Sequence, residues 1–115
     1  DLKQSMQVIV NVIREVRAGR NYLIFAEGTR SKNGNHPGPF KGGSFKTATK
    51  TKCPIVPVAL IDSYKAFDTG STERITVQVH ILPPMYYEEY KDMHTTELAE
   101  EVKRRIEKVI EENTI

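Results

Sequence analysis

The chain has 115 residues, 17 basic and 15 acidic, with a formal net charge of +2 and a single cysteine, Cys53. One cysteine excludes an internal disulfide framework and a cysteine-based zinc site. The near-balanced charge argues against a nucleic-acid coat, and no apolar run approaches the ~20 residues of a membrane span. The length suits one domain, residues 1–115, with room for a core.

Leu2, Met6, Ile9, Ile13 and Val16 recur at alternating gaps of four and three, which predicts an amphipathic helix from Leu2 to Ala18. Gly19 suits its C-cap, and Arg17 and Arg20 stand at the negative end of the dipole. Asn21 to Ala26 follows. Its run Tyr22-Leu23-Ile24-Phe25 does not alternate, which predicts a strand buried on both faces, as in a parallel sheet. A loop rich in Asn, Gly and Pro spans Gly28 to Pro39. A short helix is expected over Phe45 to Lys52, stopped by Pro54, and a second buried strand over Ile55 to Ile61. After a polar connection from Asp62 to Glu73, the alternating Ile75, Val77, Val79 and Ile81 predict a strand with one apolar face, ended by Pro83-Pro84. Leu98, Val102, Ile106 and Val109 mark the final helix, capped by Thr95 or Thr96 and supported by Glu100–Arg104 and Glu101–Arg105 pairs. The order predicts an α/β domain, a mixed and largely parallel sheet flanked by helices. The first helix and strand read as the second half of a crossover unit whose first strand is missing, and Asp1 in place of Met fits an excised piece.

The chemistry concentrates after the first predicted strand. From Gly28 to Ile61 the chain has no Asp or Glu, yet holds Arg30, Lys32, Lys41, Lys46, Lys50 and Lys52. In open α/β sheets ligands sit beyond the carboxyl ends of strands, the place taken here by Glu27-Gly28-Thr29-Arg30. Gly28 permits close backbone approach. Thr29 offers a hydroxyl and an N–H, and Arg30 a planar fork that matches two phosphate oxygens. Glu27 can position Arg30 or accept a hydrogen bond from a substrate hydroxyl. Gly42-Gly43-Ser44 places N–H groups at a helix start, a second anion seat flanked by Lys41. The plain alternative is an ordinary turn with a Glu–Arg surface pair. Lys46 and Lys50 share a helix face that could meet donor phosphates or anionic lipid, although simple solubility is the plainer explanation. No nucleotide-type glycine loop is present. His36, His80 and His94 lack metal-ligand spacing, so no metal site is expected, and each reads as structural or solvated. Cys53, without a nearby histidine, reads as packing, and Tyr86, Tyr87 and Tyr90 as surface or rim residues.

Phe25-Ala26-Glu27-Gly28-Thr29-Arg30-Ser31 resembles the F-P-E-G-T-R-S block of the glycerolipid acyltransferases. Phe40-Lys41-Gly42-Gly43-Ser44-Phe45 is similar to that family's F-K-x-G stretch, and Pro54-Ile55-Val56-Pro57-Val58-Ala59-Leu60 to its proline-containing fourth motif, in matching order and spacing. The resemblance implies an acyltransferase of phospholipid biosynthesis that moves a fatty acyl group from a thioester to 1-acyl-glycerol-3-phosphate, giving phosphatidic acid. It implies acceptor-phosphate binding by Glu27, Gly28, Thr29, Arg30 and Lys41, with Pro57 bordering the acyl site. No cofactor is implied beyond an acyl-CoA or acyl carrier protein donor. The implied partners are lysophospholipid, acyl thioester and, for the full-length enzyme, a peripheral membrane surface at its cytoplasmic face.

Three departures qualify the match. Ala26 replaces the usual proline. The family's His-x-x-x-x-Asp motif, which carries its general base, should precede Glu27, yet no histidine does. His36, His80 and His94 are followed five residues later by Lys41, Met85 and Ala99. The family's second block, with a phosphate-binding arginine, is also missing. The expectation is therefore a soluble carboxyl-terminal portion of an acyltransferase domain, with no catalytic residue of its own and inactive alone, whose exposed truncated faces could drive dimerisation. The rival from another class is a non-catalytic α/β module that binds a phosphorylated ligand.

Overall fold

The computed structural model describes residues 2–27, 34–65 and 74–113. Helix α1 spans Leu2–Arg17 and ends where Gly19 takes φ +94, its amide donating to the Val16 carbonyl at 3.0 Å. Glycine reaches that conformation without a Cβ penalty. A 3-10 turn over Gly42–Phe45 runs straight into α2, Lys46–Thr51, which Lys52 closes in the left-handed region. Strands β1, Val58–Ile61, and β2, Gln78–Ile81, are followed by a one-turn helix α3, Tyr87–Tyr90, and the long α4, Thr95–Asn113.

The strands pair antiparallel with Ala59 opposite His80 and Ile61 opposite Gln78. The pairing continues toward the start of β1 through Pro57, whose carbonyl accepts the Leu82 amide, and through reciprocal bonds between Ile55 and Met85. Helix α4 lays Leu98, Ala99, Val102, Ile106 and Ile110 into the core, against the 3-10 turn and the β1 face carrying Ala59 and Ile61. Phe45, Leu82, Met85 and Tyr90 complete that core. Helix α1 packs on α2. On the outer side of α4, Glu101 bonds both Arg104 and Arg105, and those guanidinium groups hold its carboxyl down at about 2.

The α/β class holds, but the pairing among the described residues is antiparallel, without the parallel strands expected. The segment from Asn21 to Phe25 forms no strand, and Tyr22, Leu23, Ile24 and Phe25 are exposed, Leu23 at 76% and Phe25 at 70%. An apolar run signals that a segment should be covered, not what covers it. A buried strand needs pairing neighbours, and none pairs with it among the described residues. The second expected strand is shorter than predicted, with Leu60 exposed on its outer face.

Strand β2 inverts its expected face. Residues directly opposite in an antiparallel pair share a face, so Gln78 and His80 lie on the inner side with Ile61 and Ala59. Val79 and Ile81 face outward, with Ile81 74% exposed. The small Ala59 leaves room for the His80 ring. Gln78 bridges this inner polar side, its Oε1 bonding His80 Nε2 at 2.9 Å and its Nε2 donating to the Asn113 carbonyl.

Tyr90, expected at the rim, is fully buried. Its hydroxyl donates to the Ala48 and Cys53 carbonyls at the end of α2, and its ring stands edge-on to Tyr87 at 5.4 Å. Burial pushes the phenol up to about 12, so it remains a donor. Half-buried Cys53 packs against the core as expected. Tyr90→Phe removes the donor on the Cys53 carbonyl at no cost in volume, while the Ala48 carbonyl keeps the Lys52 amide. We expect a loss of about 1–3 kcal/mol in unfolding free energy, read as a lower urea midpoint with unchanged slope.

Candidate functional site

The predicted loop is attached to a frame whose ends the structure describes. Glu27 is half-buried, at the end of the extended segment after α1. Its carboxylate Oε2 accepts the Gly38 amide at 2.8 Å. One residue earlier, the Ala26 carbonyl accepts the Lys41 amide at 2.9 Å. Two cross-links, each with its acceptor on Ala26-Glu27 and its donor amide on the returning chain, thus tie the two segments together. A Cβ at Gly38 would stand 3.2 Å from Glu27 Oε2, so a larger residue there would press on the carboxylate that holds its amide.

The returning chain is anchored a second time. Strand β1 ends at Ile61, and Asp62 adopts φ +67, a left-handed turn that Asp tolerates better than most residues. The Asp62 amide donates to Asn35 Oδ1 at 2.7 Å, and Asn35 Nδ2 donates to Asp62 Oδ1 at 2.9 Å. Lys65 reaches the same carboxylate at 3.4 Å. The Asn35 amide first, and Lys65 after it, hold the Asp62 carboxyl below the ordinary carboxylate range against the opposing effect of its burial.

Of the residues predicted for the site, Glu27, Lys41 and Pro57 are described. The Lys41 side chain is exposed, while its backbone caps the 3-10 turn and its carbonyl accepts the Ser44 amide at 3.0 Å. The frame therefore brings Glu27 and the Lys41 backbone to one place. Pro57 is buried just before β1, its carbonyl accepting the Leu82 amide beside the β1–β2 ladder. Gly28, Thr29 and Arg30 lie outside the described residues. The glycines of the second anion seat differ: Gly43 faces open space, whereas Gly42 sits against Thr95 at the start of α4. His36 and His94 are exposed, and no group of three or more metal-ligating side chains occurs among the described residues. Lys50 lines an open groove of about 420 Å³ with Val10, Ile13, Arg14 and Arg17, between α1 and α2.

Sequence reasoning missed Asn35, Gly38 and Asp62. Their only signal was the turn chemistry of Gly34-Asn35-His36-Pro37-Gly38, which predicts a loop but not its partner 27 positions later.

A family model described as Acyltransferase matches residues 1–61, slightly more than half of the chain, and the chain belongs to that family. It is 37% identical over 89 residues to the chloroplastic 1-acyl-sn-glycerol-3-phosphate acyltransferase BAT2 of Brassica napus, a match covering 75% of this chain and 26% of the relative. It is 36% identical over 92 residues to the human 1-acyl-sn-glycerol-3-phosphate acyltransferase alpha, covering 77% of this chain and 32% of the relative. The crystal structure of the 1-acyl-sn-glycerophosphate (LPA) acyltransferase PlsC from Thermotoga maritima superposes with a TM-score of 0.76 at 25% identity, covering 90% of this chain and 43% of that one. The chain thus spans about a quarter to a third of these curated relatives' length.

If the Glu27 carboxylate is the acceptor that holds Gly38, Glu27→Ala should speed deuterium exchange at the Gly38 amide by about tenfold, the value of one net hydrogen bond. Glu27→Gln, which keeps an acceptor oxygen, should leave that amide protected.

Proposed function

We propose that this chain carries the acceptor-phosphate end of a glycerolipid acyltransferase that acylates 1-acyl-glycerol-3-phosphate to phosphatidic acid. The single observation that carries the reading is the tied frame of Ala26-Glu27, Gly38 and Lys41. It stands at the mouth of a 34-residue stretch without a carboxylate, Gly28 to Ile61. The relatives' names support the same chemistry.

In this reading Arg30 grips the acceptor phosphate as a bidentate fork. Gly28 and Thr29 supply close backbone and a hydroxyl, and Lys41 adds a point charge from the returning segment of the frame. Glu27, one oxygen of which accepts the Gly38 amide, orders the loop in this reading. The acyl group arrives as a thioester of coenzyme A or acyl carrier protein, with no further cofactor. The acceptor hydroxyl attacks the thioester carbonyl and the thiol leaves. Proton removal from that hydroxyl falls to a group of the full-length protein outside these residues. Pro57, being buried, contributes by shaping the strand that borders the acyl site, not by touching the acyl chain.

No helix among the described residues is long and apolar enough to cross a membrane. We place the working enzyme at a membrane surface because its acceptor is a lipid. The exposed apolar residues of the 22–25 run and of β2 fit faces covered by more of the same domain, since the solved relative is more than twice as long as its matched part.

The test is acyl transfer by the full-length protein. Arg30→Ala removes charge-assisted hydrogen bonds worth about 1.5–3 kcal/mol, so the KM for the lysophosphatidate acceptor should rise roughly ten- to hundredfold while the KM for the acyl donor stays put. An unchanged acceptor KM and kcat would refute the phosphate role.

A further inference from the structure

We propose that Asn35 and Asp62 are positioning residues for the anion-binding end of the site, acting through the 34–38 segment upon Glu27 and Lys41. The inference rests on the phosphate reading of the loop and adds to it residues that none of the matched motifs contains.

The geometry carries the argument. The predicted phosphate loop joins the described frame at Glu27 and at Gly34, so the placement of both points governs where it can reach. The Glu27 end is held by its carboxylate on Gly38 and by Ala26 on Lys41, at 2.8 and 2.9 Å. The Gly34 end is held one residue further on, by the two-way bond between Asn35 and Asp62, at 2.7 and 2.9 Å. Asp62 belongs to the scaffold, because it directly follows Ile61, which is fully buried under α4. The Asn35–Asp62 pair is therefore the point where the returning loop is fastened to the core. The Gly38 amide lies three residues along, and Lys41 three more. A returning segment fastened only to Ala26 and Glu27 would have no fixed relation to the sheet, and preorganisation of the frame toward an anion would be lost.

The pair also has a distinctive chemistry. Asn35 receives one hydrogen bond, from the Asp62 amide, and gives one, to the Asp62 carboxylate. Replacing Asn35 by Asp sets two carboxylates face to face and removes the donor. Exchanging the two residues restores both bonds: the residue-62 amide still donates to an oxygen at 35, and an amide at 62 now donates to the carboxylate at 35. A site that needs only the strap tolerates the exchange. A site in which either residue contacts substrate does not.

The experiment compares Asn35→Asp, the double exchange Asn35→Asp with Asp62→Asn, and Arg30→Ala in the full-length protein, with acceptor KM and kcat read separately. The expected result is an acceptor KM raised about tenfold by Asn35→Asp, one hydrogen-bonded contact in size, with kcat altered less. The double exchange should return KM to within about threefold of the parent. Amide exchange at Gly38 and at residue 62 should follow the same order. Should Asn35→Asp not fold, Asn35→Ala takes its place, and a raised acceptor KM at parental kcat upholds the role. A parental KM in the Asn35 variant, or a double exchange no better than the single change, overturns the inference. If those results come with a raised KM in Arg30→Ala, the phosphate reading stands and only the strap falls. If Arg30→Ala is also parental, the phosphate reading itself has failed.

Discussion

One carboxylate oxygen accepting one backbone N–H sets the geometry of everything proposed for this chain. Glu27 Oε2 holds the Gly38 amide, and the neighbouring Ala26 carbonyl holds the Lys41 amide. Each bond alone is worth only about 1 kcal/mol. Their value lies in constraint, since together they hold Ala26-Glu27 at a fixed separation from Gly38 and Lys41. In the proposed reading Glu27 is a strut, and the reactive proton acceptor is sought elsewhere.

The frame in turn leans on a core assembled from distant parts. Helix α4 covers β1 and the 3-10 turn, which keeps Ile61, and hence Asp62, in place. Tyr90 fastens the end of α2 through two backbone carbonyls, which sets the path from the Lys41 turn toward β1. Both contacts span long stretches of sequence, so the cationic segment from Lys41 to Lys52 is held by residues that carry no charge themselves.

The helices were legible in the sequence because their signals are local. The stripe of Leu98, Val102 and Ile106 and the glycine after α1 need no knowledge of the rest of the chain. The sheet was less so. Alternation at Val77, Val79 and Ile81 marked a strand correctly, but the inner face was decided by register against β1, where Ala59 makes room for His80. The apolar run at Tyr22–Phe25 was read as buried, and it stands exposed because burial depends on neighbours that a single segment cannot specify. Of the site, the Glu27 to Lys41 block was legible as chemistry through its glycines, its cations and its resemblance to the acyltransferase motifs. Asn35, Gly38 and Asp62 were not, because their importance lies in pairings 27 and 11 positions apart. Tyr90 was misplaced at the surface because a tyrosine's hydroxyl reads as polar until its acceptors are known.

The central claim is that this frame carries a seat for a phosphorylated head group. It is tested most directly by titrating glycerol phosphate, with glycerol as control, into isotope-labelled protein and following the backbone amides by NMR. The account predicts saturable shifts at Gly38 and Lys41 with the phosphate ester and none with glycerol. Amides of the frame that stay still, or that move equally with both, would contradict it.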